Sequence, residues 1–303
     1  MSKIGLIDVD SKIPNLALMK ISTYYKQKGY QVELTEPQFV DIYDKIFVSK
    51  VFAHSELPIF PPCELEIGGS GYDLDLKLPD NIECLMPDYS LYLNSNYSLG
   101  FTTRGCIRKC PFCIVPQKEG KIQAVADLYD IWNRNHEKIV LLDNNILAAP
   151  KHFFKITSQI KKENLVVDFN QGLDCRLLTK LVAKELKSLR RPFLRFAFDN
   201  VKYEKKVLEA IDLLRKHGIN GASWYVLVGF DSTIREDLYR LNLLKKLGQR
   251  CYVQRYNCCK EKIYIPMARW ANQFHIFMGM SFKQFINDPR NPSYYKEIFR
   301  GIV

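Results

Sequence analysis

Three cysteines in the stretch FTTRGCIRKCPFC, residues 101–113, constrain this chain more than any other feature. Cys106, Cys110 and Cys113 stand in a C-x3-C-x2-C arrangement directly after a strand-like apolar run, so one loop must carry three thiols to one place. Thiolates select soft partners: zinc, copper(I) or an iron–sulfur cluster. A four-iron cluster held by three thiolates keeps one iron open to an outside molecule. A closed structural zinc site needs a fourth protein ligand, and no nearby Cys or His supplies an obvious one. The ligand preferences favour the cluster.

Beyond the loop the chain alternates regularly. YSLGFTT, KIVLLDN, LVVDFNQ, FLRFAFDN, ASWYVLVGF and CYVQRYN read as strands. VADLYDIWNRN, HFFKITSQIKKE, LTKLVAKELKSL, EKKVLEAIDLLRKHG and IREDLYRLNLLKKLG read as the helices between them, with no isolated hairpin signal. Repeated βα units predict parallel strands with helices covering the sheet.

The cysteine spacing, the aromatic Phe112 before the third cysteine and the preceding Thr-Arg-Gly resemble the signature of the radical S-adenosylmethionine (SAM) superfamily. Within it the chain resembles the branch with an N-terminal cobalamin-binding-like Rossmann domain and methylthiotransferase-like core domains. The resemblance implies a partial (β/α)6 TIM barrel, with the chemistry at the carboxyl ends of its strands. It implies that Cys106, Cys110 and Cys113 hold a [4Fe-4S] cluster, that SAM chelates the fourth iron, and that Phe112 sits near the adenine. Electrons would come from a donor such as a flavodoxin or ferredoxin.

The strand ends carry the other candidates. Asp143, Asn144 and Asn145 stand where the family has a Gly-Gly-Glu-like motif for the SAM amino group, although an Asx-rich turn reads the same way. Asp174 beside Arg176 suits a charged cofactor or a plain ion pair. Asp199 and Asn200 match a family position that contacts the ribose or carboxylate. VLVGFDSTIRED resembles a family stretch but lacks its proline, and Gly229 there would let the backbone approach adenine. Arg255 and Asn257 end the sixth strand. Arg104 and Arg108 could tune a cluster or merely balance its charge.

The first ninety-five residues, with a helix near Pro14 capped around Ser11 and ended by Gly29, predict a small Rossmann-like parallel sheet. KIGLID, QVELT, KIFVSKVF, ELEIGG and NIECLM are its strand candidates. The resemblance admits cobalamin here but disfavours it, because the loop after the first strand has no histidine and the region's one His is His54. Gly68, Gly69 and Gly71 lack dinucleotide spacing and predict a tight turn. The expected division is 1–95 Rossmann-like, 96–257 barrel and 258–303 C-terminal extension. In the extension Arg269, Trp270 and Asn272 are candidates for a substrate-facing wall, the alternative being a packing role.

Composition narrows the class. No run approaches the roughly 20 apolar residues that span a bilayer, and the first strand is no signal peptide, so a cytoplasmic location is expected. Nine cysteines without such a signal read as reduced thiols. Cys63, Cys84, Cys175 and Cys251 read as isolated residues, and a second metal at Cys258 and Cys259 is disfavoured. The net charge of +11 suits an anionic partner, nucleic acid included, though the basic pairs lie on predicted helix faces. Three functions remain open. One is SAM cleavage to a 5′-deoxyadenosyl radical that takes hydrogen from a substrate, with RNA or another nucleic acid among the candidates. Another is methyl or methylthio transfer to a small molecule or protein. The third is a non-catalytic metal-binding or nucleic-acid-binding module.

Overall fold

The computed structural model describes residues 2–256 and 261–302, so the expectations for Asn257, Cys258 and Cys259 lie outside the described residues. Strands β1 (Lys3–Asp8), β2 (Gln31–Leu34), β3 (Lys45–Ser49) and β4 (Leu65–Gly68) form a sheet in the order β2-β1-β3-β4, and every pair is parallel. Helix α1 (Leu16–Gln27) covers one face, with Leu18 and Ile21 against Ile4, Leu6 and Val32. Its cap is Asn15, whose side chain accepts from Leu18 N at 3.2 Å. Ser11, the expected cap, instead accepts from Asn15 Nδ2 at 2.9 Å. NIECLM, expected as a strand, instead begins inside the single helical turn α2 (Asp80–Glu83), because Pro79 at its cap has the fixed φ that opens a helix. The glycine turn is needed for close approach: a Cβ on Gly69 would stand 2.3 Å from Lys50 O, and one on Gly71 2.4 Å from the Phe52 carbonyl carbon.

After β5 (Ser98–Gly100) comes a correction to the hairpin-free reading. Two short strands, β6 (Thr103–Arg104) and β7 (Gln123–Ala124), pair antiparallel and pinch the cysteine loop at its neck, with the helical turn α3 (Val115–Lys118) inside it. The helix expected over 125–135 is also absent. Asp127 and Asp130 cap one another around a 3-10 turn at Leu128–Asp130, and Asn133 then turns the chain by accepting from Asn135 N at 3.0 Å. Local Asx hydrogen bonds win over helix propensity there.

Alternation holds from that point: β8 (Lys138–Leu141), α4 (Pro150–Lys162), β9 (Val166–Phe169), α5 (Lys180–Ser188), β10 (Arg190–Phe193), β11 (Arg195–Ala197), α6 (Glu204–Lys216), β12 (Ser223–Val228), α7 (Ile234–Lys246) and β13 (Arg250–Arg255). Here the expected fourth strand divides. β10 pairs with β9 and β11 with β12, Leu194 standing between them, so the strands form two parallel sheets, β10-β9-β8-β5 and β11-β12-β13. A lone bridge joins Leu173 to Phe196. The architecture is α/β with parallel sheets, which are not closed into a barrel.

One large core fills the space between these sheets and α4 to α7, with Phe153, Phe196, Phe198 and Trp224 fully buried. The last segment, α8 (Tyr264–Ala271), α9 (Phe274–Gly279), α10 (Phe282–Asn287) and α11 (Tyr294–Ile298), packs into the same core. Trp270 is fully buried and donates to Met280 O at 3.0 Å. Arg269 donates to Tyr295 Oη at 2.9 Å. Asn272 Oδ1 accepts from Val253 N at 2.6 Å, covering the outer edge of β13. The packing account therefore holds for Trp270, while Arg269 and Asn272 are exposed. A smaller cluster joins α1 to β5 and the β8 region: Met19 of α1 is fully buried with Leu99, Val140 and Leu142.

Candidate metal and cofactor site

The cysteine loop is held from outside before any ligand is considered. Asp143, just past β8, is buried and accepts from Thr102 N at 3.2 Å and Thr102 Oγ1 at 2.7 Å, and also from the amide and hydroxyl of Thr103. Burial pushes its carboxyl above the ordinary carboxylate range, and the four hydrogen bonds work against that. Its polar atoms are spent on the strand that leads into Gly105 and Cys106. Glu119, which the sequence reading missed, closes the loop from its far end. Its carboxylate accepts from Gly105 N at 2.8 Å, Arg104 at 3.0 Å and Asn144 Nδ2 at 2.7 Å. The one legible signal was its place in the loop, beside a residue that has to turn: Gly105 has φ +80, and a Cβ there would lie 2.3 Å from Lys121 O.

Arg104 is the other tie. Its guanidinium reaches Glu83 of α2 at 2.9 Å and lies 3.5 Å from the Phe101 ring centroid. Glu83 also pairs with Lys20 of α1 at 3.0 Å. A chain of charges thus runs from α1 to Glu119. Removing one member leaves a half-buried partner short of hydrogen bonds. Glu119→Gln should therefore cost about 1–3 kcal/mol by urea denaturation, while Glu209→Gln on the exposed face of α6 should cost under about 0.5 kcal/mol.

Within the loop the three thiols feel one another. Burial is the main cause raising the Cys110 and Cys113 thiols; the charges of the neighbouring cysteines and Asp199 add to it, and Arg176 opposes it at Cys110. Cys106 Sγ accepts from Arg108 N at 3.3 Å and from Asn145 Nδ2 at 3.5 Å, and the Val115 amide serves Cys113. Donors directed at sulfur are what a thiolate ligand uses. Among the described residues no group of three or more His, Cys, Asp or Glu side chains stands close enough to hold a single metal ion.

Beside Cys106 lies a polar cluster from two strand ends. Asp174 accepts from Arg108 Nε at 2.8 Å and Arg176 Nε at 2.7 Å. Burial alone would raise its carboxyl, but the two guanidinium groups outweigh it and hold the acid below its ordinary range. Asn145 Nδ2 is 3.5 Å from Asp174 Oδ2, and Asn145 Oδ1 is buried with no partner. Arg176 also lies over Tyr203, 4.7 Å from the ring centroid. Asp199 accepts from Leu227 N at 3.1 Å, and burial raises its carboxyl despite Arg240 and Arg176.

The predicted site residues thus divide. Asn145, Asp174, Arg176 and Asp199 gather around the cysteine loop. Asp143 and Asn144 brace its two ends. Asn200 is a cap, accepting from Lys202 N at 2.9 Å. Gly229 has φ +79 and donates to Asp237 at 3.3 Å. Phe112 meets Phe230 edge to face at 5.3 Å, and Phe230 meets Tyr256 at 4.8 Å. That aromatic chain links the loop to the ends of β12 and β13. Asp237 and Arg240, also missed, form a fully buried ion pair, and Arg240 donates to Phe198 O at 2.5 Å and Leu227 O at 2.8 Å. The three-residue helical spacing of the pair is the signal that was legible.

No family model matches the chain. Two curated proteins are partly similar to it, each called tRNA-2-methylthio-N(6)-dimethylallyladenosine synthase. That of Flavobacterium psychrophilum is 28% identical over 123 residues, 37% of this chain and 25% of the relative. That of Flavobacterium johnsoniae is 28% identical over 134 residues, 40% of this chain and 27% of the relative. The match spans about a quarter of the length of these relatives.

Proposed function

We propose that this chain is a radical SAM enzyme whose Cys106, Cys110 and Cys113 bind a [4Fe-4S] cluster. The observation that carries the reading is the ribbon-closed loop that presents Cys106, Cys110 and Cys113 together, with amide donors at Cys106 and the unpartnered Asn145 Oδ1 beside it. Cluster ligands each bind a different iron, so they need not crowd one point as the ligands of a single ion do. Three cysteines fit a cluster with one iron left for SAM. When bound, the cluster and SAM would supply reductive cleavage to methionine and a 5′-deoxyadenosyl radical that takes hydrogen from a substrate. The residues here would orient and shield. Asn145, Asp174 and Arg176 offer donors and acceptors for an amino-acid headgroup, Asp199 an acceptor for a ribose, and Phe112 with Phe230 an apolar wall. An outside reductant, a flavodoxin or ferredoxin in kind, completes the scheme.

The same reading takes the two sheets as one curved, open (β/α)6 barrel, since Leu194 alone separates β10 from β11 and Leu173 bridges to Phe196. It takes 1–95 as a Rossmann-like unit and leaves cobalamin out. Asp8 is bound to Ser11 N and Tyr92 Oη, and Asp10 to the amides of Val51 and Phe52. The partial likeness to two proteins named for methylthio transfer to a tRNA adenosine supports the superfamily and favours an RNA substrate, with methylthio transfer as a second reading. Anaerobic reconstitution with iron and sulfide, then reduction with SAM, is the test. A brown protein that yields 5′-deoxyadenosine is expected; a colourless protein carrying zinc alone overturns the reading.

A further inference from the structure

The face of the β11-β12-β13 sheet turned away from the helices is graded along its strands. Phe196, Trp224, Val226, Val228, Cys251 and Val253 point into the helix-covered core, so the alternate residues share the opposite face. Their register gives three rows. Arg195, Ser223 and Arg250 stand at the amino end; Ala197, Tyr225 and Tyr252 come next; Leu227 and Gln254 follow, with Asp199 bound to Leu227 N. Successive rows are two residues apart, about 6–7 Å, so the first lies about 13 Å from the third.

The rows differ in chemistry. Among the described residues Asp168 is the one carboxylate paired with both Arg195 and Lys138, the latter at 3.6 Å. Arg250 has no carboxylate partner among the described residues and rests 4.5 Å from the centroid of Phe274. The amino end therefore carries surplus positive charge on guanidinium groups, the geometry that takes phosphate oxygens in pairs. In the middle row Tyr252 is 49% exposed, with Tyr225 between it and the small Ala197. It meets Tyr225 edge to face at 5.9 Å, and Tyr225 is fixed by donating to Asn170 O at 2.8 Å. The Tyr252 ring is thus steadied from one side and open on the other. The third row ends at Asp199, in electrostatic contact with Cys110 and Cys113.

We propose that this face binds a nucleotide, with its phosphate on Arg195 and Arg250, its base against Tyr252, and the end to be modified toward Asp199. The proposal rests on the reading of the cysteine loop only for what happens at that end. Its test is fluorescence anisotropy of a labelled short single-stranded RNA on the full chain, competed with adenosine 5′-monophosphate or adenosine. Arg250→Ala and Tyr252→Ala should each weaken binding about tenfold, and Tyr252→Phe should stay within about twofold of wild type, because stacking needs the ring and not its hydroxyl. Competition by the monophosphate but not adenosine supports a free nucleotide. Competition by unlabelled RNA alone supports a nucleotide within a strand. Adenosine competing as well as its monophosphate overturns the proposal. So does wild-type binding by both alanine variants, or no binding of either probe by wild type; matched thermal melts tie any loss to the altered side chain. Anisotropy needs no turnover, and the 5′-deoxyadenosine yield of the same wild-type preparation is measured apart from it, so failure of SAM cleavage and failure of nucleotide binding are read separately.

Discussion

Cys110→Ala protein should fold as wild type does and yet, after reconstitution, lose its cluster absorption and its 5′-deoxyadenosine down to background. Cys110 is half-buried in the loop, and its carbonyl makes the turn by accepting from Cys113 N at 3.0 Å. Alanine keeps that turn, so the stability change should stay within about 0.5 kcal/mol. What is lost is one of three thiolates, and a cluster left with two has a second open iron. Cys84→Ala is the control: Cys84 is exposed and outside the loop, and its variant should load and turn over as wild type. Equal product from the Cys110 variant and wild type would sink the enzymatic reading.

Asp237→Ala should destabilise the chain by about 3–5 kcal/mol, the cost of stranding a buried charge. Both partners are fully buried, and Arg240 Nε already lacks a hydrogen-bond partner. Without Asp237 the guanidinium keeps only the Phe198 and Leu227 carbonyls, and Gly229 N and Ser232 Oγ lose their acceptor. Replacing both residues with apolar ones of similar volume, as Asp237→Leu with Arg240→Met, should recover much of the loss. Urea midpoints at constant slope would measure this. A single variant within about 1 kcal/mol of wild type would mean that the pair is not closed to water.

These two results probe parts of the chain that were unequally legible. The cysteine loop could be placed after a strand because three thiols and an apolar run are local signals. The helices α4 to α7 announced themselves by a sustained helical period. The split at Leu194 did not, because Phe193, Leu194, Phe196 and Ala197 read as one apolar run; Phe193 is in fact 50% exposed and Leu194 buried. The stretch 125–135 has helix-like spacing of Leu128, Ile131 and Trp132, yet its Asp and Asn side chains bond locally and break the helix. The hardest part was the run Asp143, Asn144, Asn145. Composition marks all three as polar, but the turn sends one to the threonines, one to Glu119 and one to Cys106. Only three-dimensional placement separates brace from binding group. Glu119 and Arg240 escaped notice for a related reason, since a charge is read as solvent-facing until its partners are known.

Met19 carries a consequence for how the chain is made. It is fully buried, but its partners Leu99, Val140 and Leu142 leave the ribosome long after α1 does. The first sheet can therefore form early while one flank of its only long helix stays bare, and that flank is covered only once β8 has been synthesised. During the interval the nascent chain carries an adhesive patch of the kind that recruits chaperones. For the same reason a fragment cut near residue 95 should be sticky, whatever its secondary structure.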